Sequence, residues 1–98
     1  MRRDVRAPAA SFDCMLARSD IEQVICSSRD LSRLDRRLAE AYADKLTWAE
    51  DDAKRQELRQ QQRAWLRMRD TSCLTARMNI VACLMPVYQK RIKELSGD

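Results

Sequence analysis

Residues that build tight turns are almost absent from this chain. Its 98 residues hold one glycine, Gly97, two prolines, Pro8 and Pro86, and one asparagine, Asn79. Hairpins need residues that tolerate positive φ or preset a turn, chiefly Gly, Asn and Pro. A sheet therefore has almost nothing from which to build its connections. Leu, Ala, Arg, Glu and Gln dominate instead, and these are strong helix formers. The expected fold class is all-α. The length allows one small domain, which buries only roughly 60–65% of its unfolded surface.

The composition also thins the chemistries. There is no histidine, so the commonest general base and metal ligand are missing. Without histidine, no Ser/His or Cys/His nucleophile pair can form. With one glycine, no Gly-rich phosphate loop can form. The expectation is a non-enzymatic protein with no cofactor and no metal. The apolar runs are short, as in Ile80 to Cys83, so no segment is expected to span a membrane.

The net charge is +4, from 19 cations and 15 anions. Fifteen of the cations are arginine. Most alternate with acids, as in Arg29-Asp30, Asp35-Arg36-Arg37 and Arg69-Asp70, a pattern of solvated helix faces with local pairs. One stripe departs from it. Arg55, Arg59, Arg63 and Arg67 recur every four residues with Lys54 beside them. It motivates an alternative function, a basic helical module for nucleic acid or another polyanion.

Four cysteines, Cys14, Cys26, Cys73 and Cys83, suggest two disulfides in an oxidising compartment. Structural zinc fits poorly because no CxxC-like spacing occurs. Residues ten apart on one helix lie roughly 15 Å apart along its axis, whereas a disulfide needs Cα atoms within about 7 Å. Cys73 and Cys83 can therefore pair only across a chain break. Asn79 is a suitable turn residue, and a last helix starting near Ala82 or Cys83 places Pro86 in or near its first turn. Cys14 and Cys26 can pair if the chain folds back before a helix begun by the Ser19/Glu22 capping box. Local pairings are thus preferred, though three connectivities remain open.

Residues 1–10 read as a disordered lead or processing remnant. Ala7-Pro8-Ala9 resembles the small-residue end of a secretory signal, but no apolar stretch precedes it. The expectation is a signal already removed from this sequence. A short helix from Ser19 to about Cys26 is followed by one capped by Asp30, with a stripe of Leu31, Leu34, Leu38, Ala41, Tyr42 and Leu46. Thr47 and Glu50 make another capping box, and Asp51 and Asp52 suit a helix start. The third helix then runs from Trp48 or Asp52 to Thr71, with Leu58, Gln62, Trp65, Leu66 and Arg69 on one face. The last carries Leu84, Val87, Tyr88, Ile92 and Leu95 and ends before Gly97. Three longer helices and one short N-terminal helix close a small disulfide-stapled bundle. Residues 11–95 form the domain and 96–98 a tail.

A family pattern runs through these elements. It comprises Ser11-Phe12-Asp13-Cys14, Glu22 through Cys26, Leu34-Asp35 with Leu38 and Tyr42, Gln62-Arg63-Ala64-Trp65-Leu66, Arg69-Asp70, Cys73, and Cys83-Leu84 with Tyr88, Arg91, Ile92 and Leu95. In this order the residues resemble the N-terminal domain family of the lysozyme inhibitor LprI. The resemblance implies a small helical domain exported to the bacterial periplasm or secreted, two disulfides, and a protein partner such as lysozyme. Within its motifs, Asp35, Gln62, Arg63, Trp65, Arg69, Asp70 and Arg91 are expected to form a polar network, either structural or part of a binding surface. Animal-type lysozyme is strongly basic, so a +4 chain would need a local acidic patch to meet it. Glu50, Asp51 and Asp52, or Asp13 and Asp20, could supply one.

Overall fold

Serine and aspartate side chains open the first three helices of this chain, and an asparagine opens the fourth. In the computed structural model, residues 10–75 and 79–97 are described. Ser19 accepts from the Glu22 N–H and starts α1, Asp20–Ser27. Glu22 in turn accepts from the Arg18 N–H rather than from that of Ser19, so the box is closed one residue earlier than its usual form. Ser28 both ends α1 and caps α2, Arg29–Thr47, by accepting from Leu31. The expected cap, Asp30, lies inside the first turn of α2, where its charge suits the positive end of the helix.

Asp51 caps α3, Asp52–Ser72, so of the two expected starts it is the later that forms. Thr47 is not a cap; its hydroxyl donates back to the Ala43 carbonyl within α2. Asn79 caps α4, Ile80–Ser96, through the Ala82 N–H. This begins α4 earlier than expected and leaves Pro86 beyond its first turn. Pro86 lacks the N–H that would bond the Ala82 carbonyl, but both residues are exposed, so water can serve that carbonyl. Gly97 closes α4 at φ 78°, a left-handed cap that glycine adopts without strain.

These elements pack as an up-down-up arrangement of α2, α3 and α4, with α1 folded across the start of α2. Asp35 of α2 meets Tyr88 of α4, while the ends of both helices line one depression around Trp48, so the two run parallel. Arg69 reaches Tyr88 and Gln62 reaches Arg91, so α3 runs the opposite way. The core holds Ile21, Ile25, Leu31, Leu34, Leu38 and Leu58, with Trp65, Leu84, Tyr88 and Leu95. A buried Ser32 hydroxyl donates to the Ile25 carbonyl at 2.6 Å, satisfying one of the carbonyls orphaned at the end of α1.

Both disulfides join near neighbours, Cys14 to Cys26 and Cys73 to Cys83, with Cα separations of 5.9 and 5.8 Å. Cys14 lies in a 3-10 turn, Cys14–Leu16, that doubles back along α1. Most of the lead expected over 1–10, including Ala7-Pro8-Ala9, lies outside the described residues, while Ala10 is buried in the core. Ser96 is the last residue of α4 and Gly97 its cap, so only Asp98 of the expected tail is not described.

Cys73 is fully buried. Removing a native disulfide from a small domain costs about 2–5 kcal/mol. Cys73→Ser is therefore expected to lower the melting temperature by about 10 °C or more. A thermal unfolding curve that does not move would contradict the staple's contribution.

Candidate functional site

The inward row of α3 is only half apolar. Leu58, Gln62, Trp65 and Arg69 recur at helical spacing and are all buried. Two of the four must find polar partners inside the bundle, because a buried polar group left unpaired costs free energy. They find them in two clusters.

The first centres on Asp35, which is 3% exposed. Its Oδ1 accepts from the Tyr88 hydroxyl at 2.7 Å. Its Oδ2 accepts from the Ser11 backbone N–H at 2.7 Å and from the Ser11 hydroxyl. Arg69 donates through Nη1 to the Tyr88 oxygen at 3.2 Å. The same nitrogen lies 3.9 Å from Asp35, so the phenol carries the contact between the two charges. Arg69 is held from its other side by Asp70, whose Oδ1 accepts from Nε at 3.0 Å and Nη2 at 2.8 Å. The second cluster is simpler. Arg91 donates from Nε and Nη2 to the Gln62 carbonyl oxygen at 3.0 and 2.9 Å, and from Nη1 to Glu94 at 3.1 Å. Trp65 lies between the clusters and meets Tyr88 edge to face, with centroids 5.2 Å apart.

The environment biases protonation. Burial of Tyr88 and the neighbouring Asp35 charge push its hydroxyl far above the ordinary tyrosine range. Burial works against the Arg69 charge, but Tyr88 and Asp70 outweigh it and raise its pKa. The phenol therefore stays neutral and the guanidinium charged, as the hydrogen bonds require.

Of the residues expected to form a network, Asp35, Gln62, Trp65, Arg69, Asp70 and Arg91 are brought together. Arg63 is not; it is exposed, one position off the buried row. Three members were missing from that set, Tyr88, Ser11 and Glu94. Tyr88 reads as one more member of an apolar stripe, and only its coincidence with buried acids and bases marks it as a hub. Ser11 lies before the first helix, where periodicity carries no signal.

At the surface, two members of the basic stripe engage local partners. Arg55 pairs with Asp52 at 2.7 Å and Arg59 donates to Gln56 at 3.1 Å. The largest exposed apolar groups are Met15 and Leu16 on the 3-10 turn and Trp48 between α2 and α3. Among the described residues, no group of three or more His, Cys, Asp or Glu is placed to hold a metal, and no helix is long and apolar enough to cross a membrane.

These features define a class: a disulfide-stapled helical domain whose interior register is set by buried charge. The chain belongs to the lysozyme inhibitor LprI family, whose profile matches residues 14–95. No curated protein and no solved structure gives a match.

Tyr88→Phe removes one donor from Asp35 and one acceptor from Arg69. It is expected to cost about 1–3 kcal/mol, and Asp35→Ala about 3–5 kcal/mol because Arg69 loses its buried counter-charge. Arg63→Ala should stay within about 0.5 kcal/mol. Chemical denaturation of the three variants checks the order, and an Arg63 effect as large as that of Asp35 would contradict the placement.

Alkali supplies a second check. The fold raises the Tyr88 pKa, so it favours the neutral phenol. That contribution is complete below the ordinary value of 10.0 and is lost as pH rises beyond it. Stability should fall above pH 10.0 in the wild type and less steeply in Tyr88→Phe, with tyrosinate absorbance from Tyr88 appearing only as the chain unfolds.

Proposed function

We propose that this chain is an exported, non-enzymatic protein-binding domain that inhibits a lysozyme in the bacterial envelope, in the periplasm or as a secreted protein. One observation carries the reading: the family match extends from Cys14 to Leu95 and so spans both disulfides and nearly all of the four helices. Two disulfides suit an oxidising compartment. In this reading the Asp35–Tyr88–Arg69 and Gln62–Arg91 clusters are structural. These five side chains are buried and hydrogen-bond within the bundle, which leaves recognition to the surface.

The polyanion reading has no comparable support. The stripe on α3 is exposed, yet Arg55 and Arg59 engage neighbours on their own helix, as solvated helix faces do.

The test is lysis of bacterial cell walls by animal-type lysozyme, followed by turbidity, with the oxidised protein titrated at two salt concentrations. The expected result is inhibition that saturates near one-to-one and survives moderate salt. Absence of inhibition at large excess would overturn the reading. In a parallel measurement, binding to duplex DNA at low salt is expected to be negligible; strong binding that falls steeply with salt would favour the polyanion instead.

A further inference from the structure

Trp48 is the most conspicuous side chain that the fold does not use. It is 83% exposed, whereas Trp65, the only other tryptophan, is 8% exposed. An aromatic residue of this size in water forgoes a large burial term, and tryptophan is among the residues that dominate binding when desolvated at an interface. The backbone beneath it is fixed. The Trp48 N–H donates to the Asp44 carbonyl at 3.1 Å and the Ala49 N–H to Leu46 at 3.3 Å, while Asp51 caps α3 immediately afterwards.

The indole also has a built setting. It stands between two depressions. One, of about 410 Å³, lies in the crook of α2 and α3 and reaches Leu58. The other, of about 580 Å³, lies between the ends of α2 and α4 and reaches Ile92 and Leu95. Each sets a few apolar side chains, Leu58 in the first and Ile92 and Leu95 in the second, among charged ones of both signs beside the indole.

Charge selects the occupant. Residues 44–57 carry five carboxylates and three cations, a balance of −2 in a chain of +4. Glu50, Asp51 and Asp52 follow Trp48 after a single alanine and are all exposed. The α2–α3 turn is thus one of two acidic stretches in this basic protein, the other being residues 11–24 with the same balance, and it is the one that carries the exposed tryptophan. Such a surface suits a basic protein with a recess able to accept a flat, neutral ring.

We propose that the α2–α3 turn is the surface that meets lysozyme, with Trp48 entering the sugar-binding cleft and Glu50 and its acidic neighbours resting on the basic rim. This rests on the inhibitor reading above. A glycosidase cleft holds two carboxylates at its centre, so an acidic side chain is repelled there. The indole is neutral, has a flat apolar face that can lie against the walls of a sugar-binding cleft and offers one N–H donor. The carboxylates then act at longer range, where they speed encounter.

The experiment labels both tryptophans with 5-fluorotryptophan, giving two fluorine resonances assigned with Trp65→Phe. Unlabelled animal-type lysozyme is titrated in, and inhibition is measured on the same samples. The expected result is a shifted or broadened Trp48 resonance with Trp65 unmoved. Trp48→Ala should weaken binding at least about tenfold, and Glu50→Lys should slow association and flatten its salt dependence. A helical spectrum unchanged from wild type shows that each variant folds. The paired substitution Met15→Ser, Leu16→Ser, at the far end of α2, should leave binding unchanged. Inhibition with Trp48 unmoved, or inhibition lost only in the Met15 and Leu16 variant, overturns this surface but not the inhibitor reading. Neither inhibition nor any spectral change overturns both. A Trp48 resonance that moves with the protein's own concentration identifies a second copy as the occupant and overturns the proposal.

Discussion

The Asp35 carboxylate is the point at which the separate parts of this chain become one structure. It accepts from Ser11 ahead of the helices and from Tyr88 on α4, and through Tyr88 it is joined to Arg69 on α3. Its contacts span 24 and 53 residues of sequence. The two disulfides, by contrast, span 12 and 10. The covalent links secure local hairpin-like folds, and the buried carboxylate decides how those pieces sit against each other. A buried charge is costly to desolvate and is tolerated only with its partners in place. Any other register of α3 leaves Asp35 or Arg69 short of a partner.

This requirement explains why α3 can be so polar. Its buried row alternates Leu58 and Trp65 with Gln62 and Arg69. An all-apolar row would pack in several neighbouring registers at similar cost, whereas hydrogen bonds to Tyr88 and Arg91 have one geometry. Long side chains also let α3 stand off from α2 and α4. The space left at the α2–α3 turn is the depression beside Trp48.

How much of this could be read from the sequence follows from the range of each interaction. The helices were legible because periodic stripes are local: Leu31, Leu34 and Leu38 on α2, and Leu84, Tyr88 and Leu95 on α4, are buried as their spacing requires. The local disulfides were preferred, though not decided, by reach. Caps were legible to within two or three residues except at Thr47, four residues before the cap that forms at Asp51. Ser28 and Asp30 both suit a helix start, and Ser28 forms the cap because α1 ends there. Asn79 reads as a turn residue and serves as a cap as well. Arg63 and Arg69 look alike in a motif, and only the register of α3 buries one and exposes the other. The hub role of Tyr88 depends on three helices at once, which no local pattern encodes. Trp48 could have been flagged, since it falls two residues past Leu46, off the α2 stripe.

The placement of rigidity in the bundle supports a role for the Trp48 end. The start of α2, the end of α3 and the start of α4 lie together, and both disulfides close that end. The opposite end, with the close of α2, the start of α3 and Gly97, has no covalent staple. An unstapled end would ordinarily fray, and a mobile tryptophan would lose ordering entropy on binding. Here the connection from α2 to α3 is four residues, 48–51, and both sides are tied by backbone bonds to Asp44 and Leu46 and by the Asp51 cap. The backbone that carries the indole is therefore held before any partner arrives. In the proposed complex a small basic domain meets a basic enzyme and has little long-range attraction to draw on. On that proposal affinity comes from an aromatic group buried at contact, with the local acidic groups acting on encounter rather than on residence.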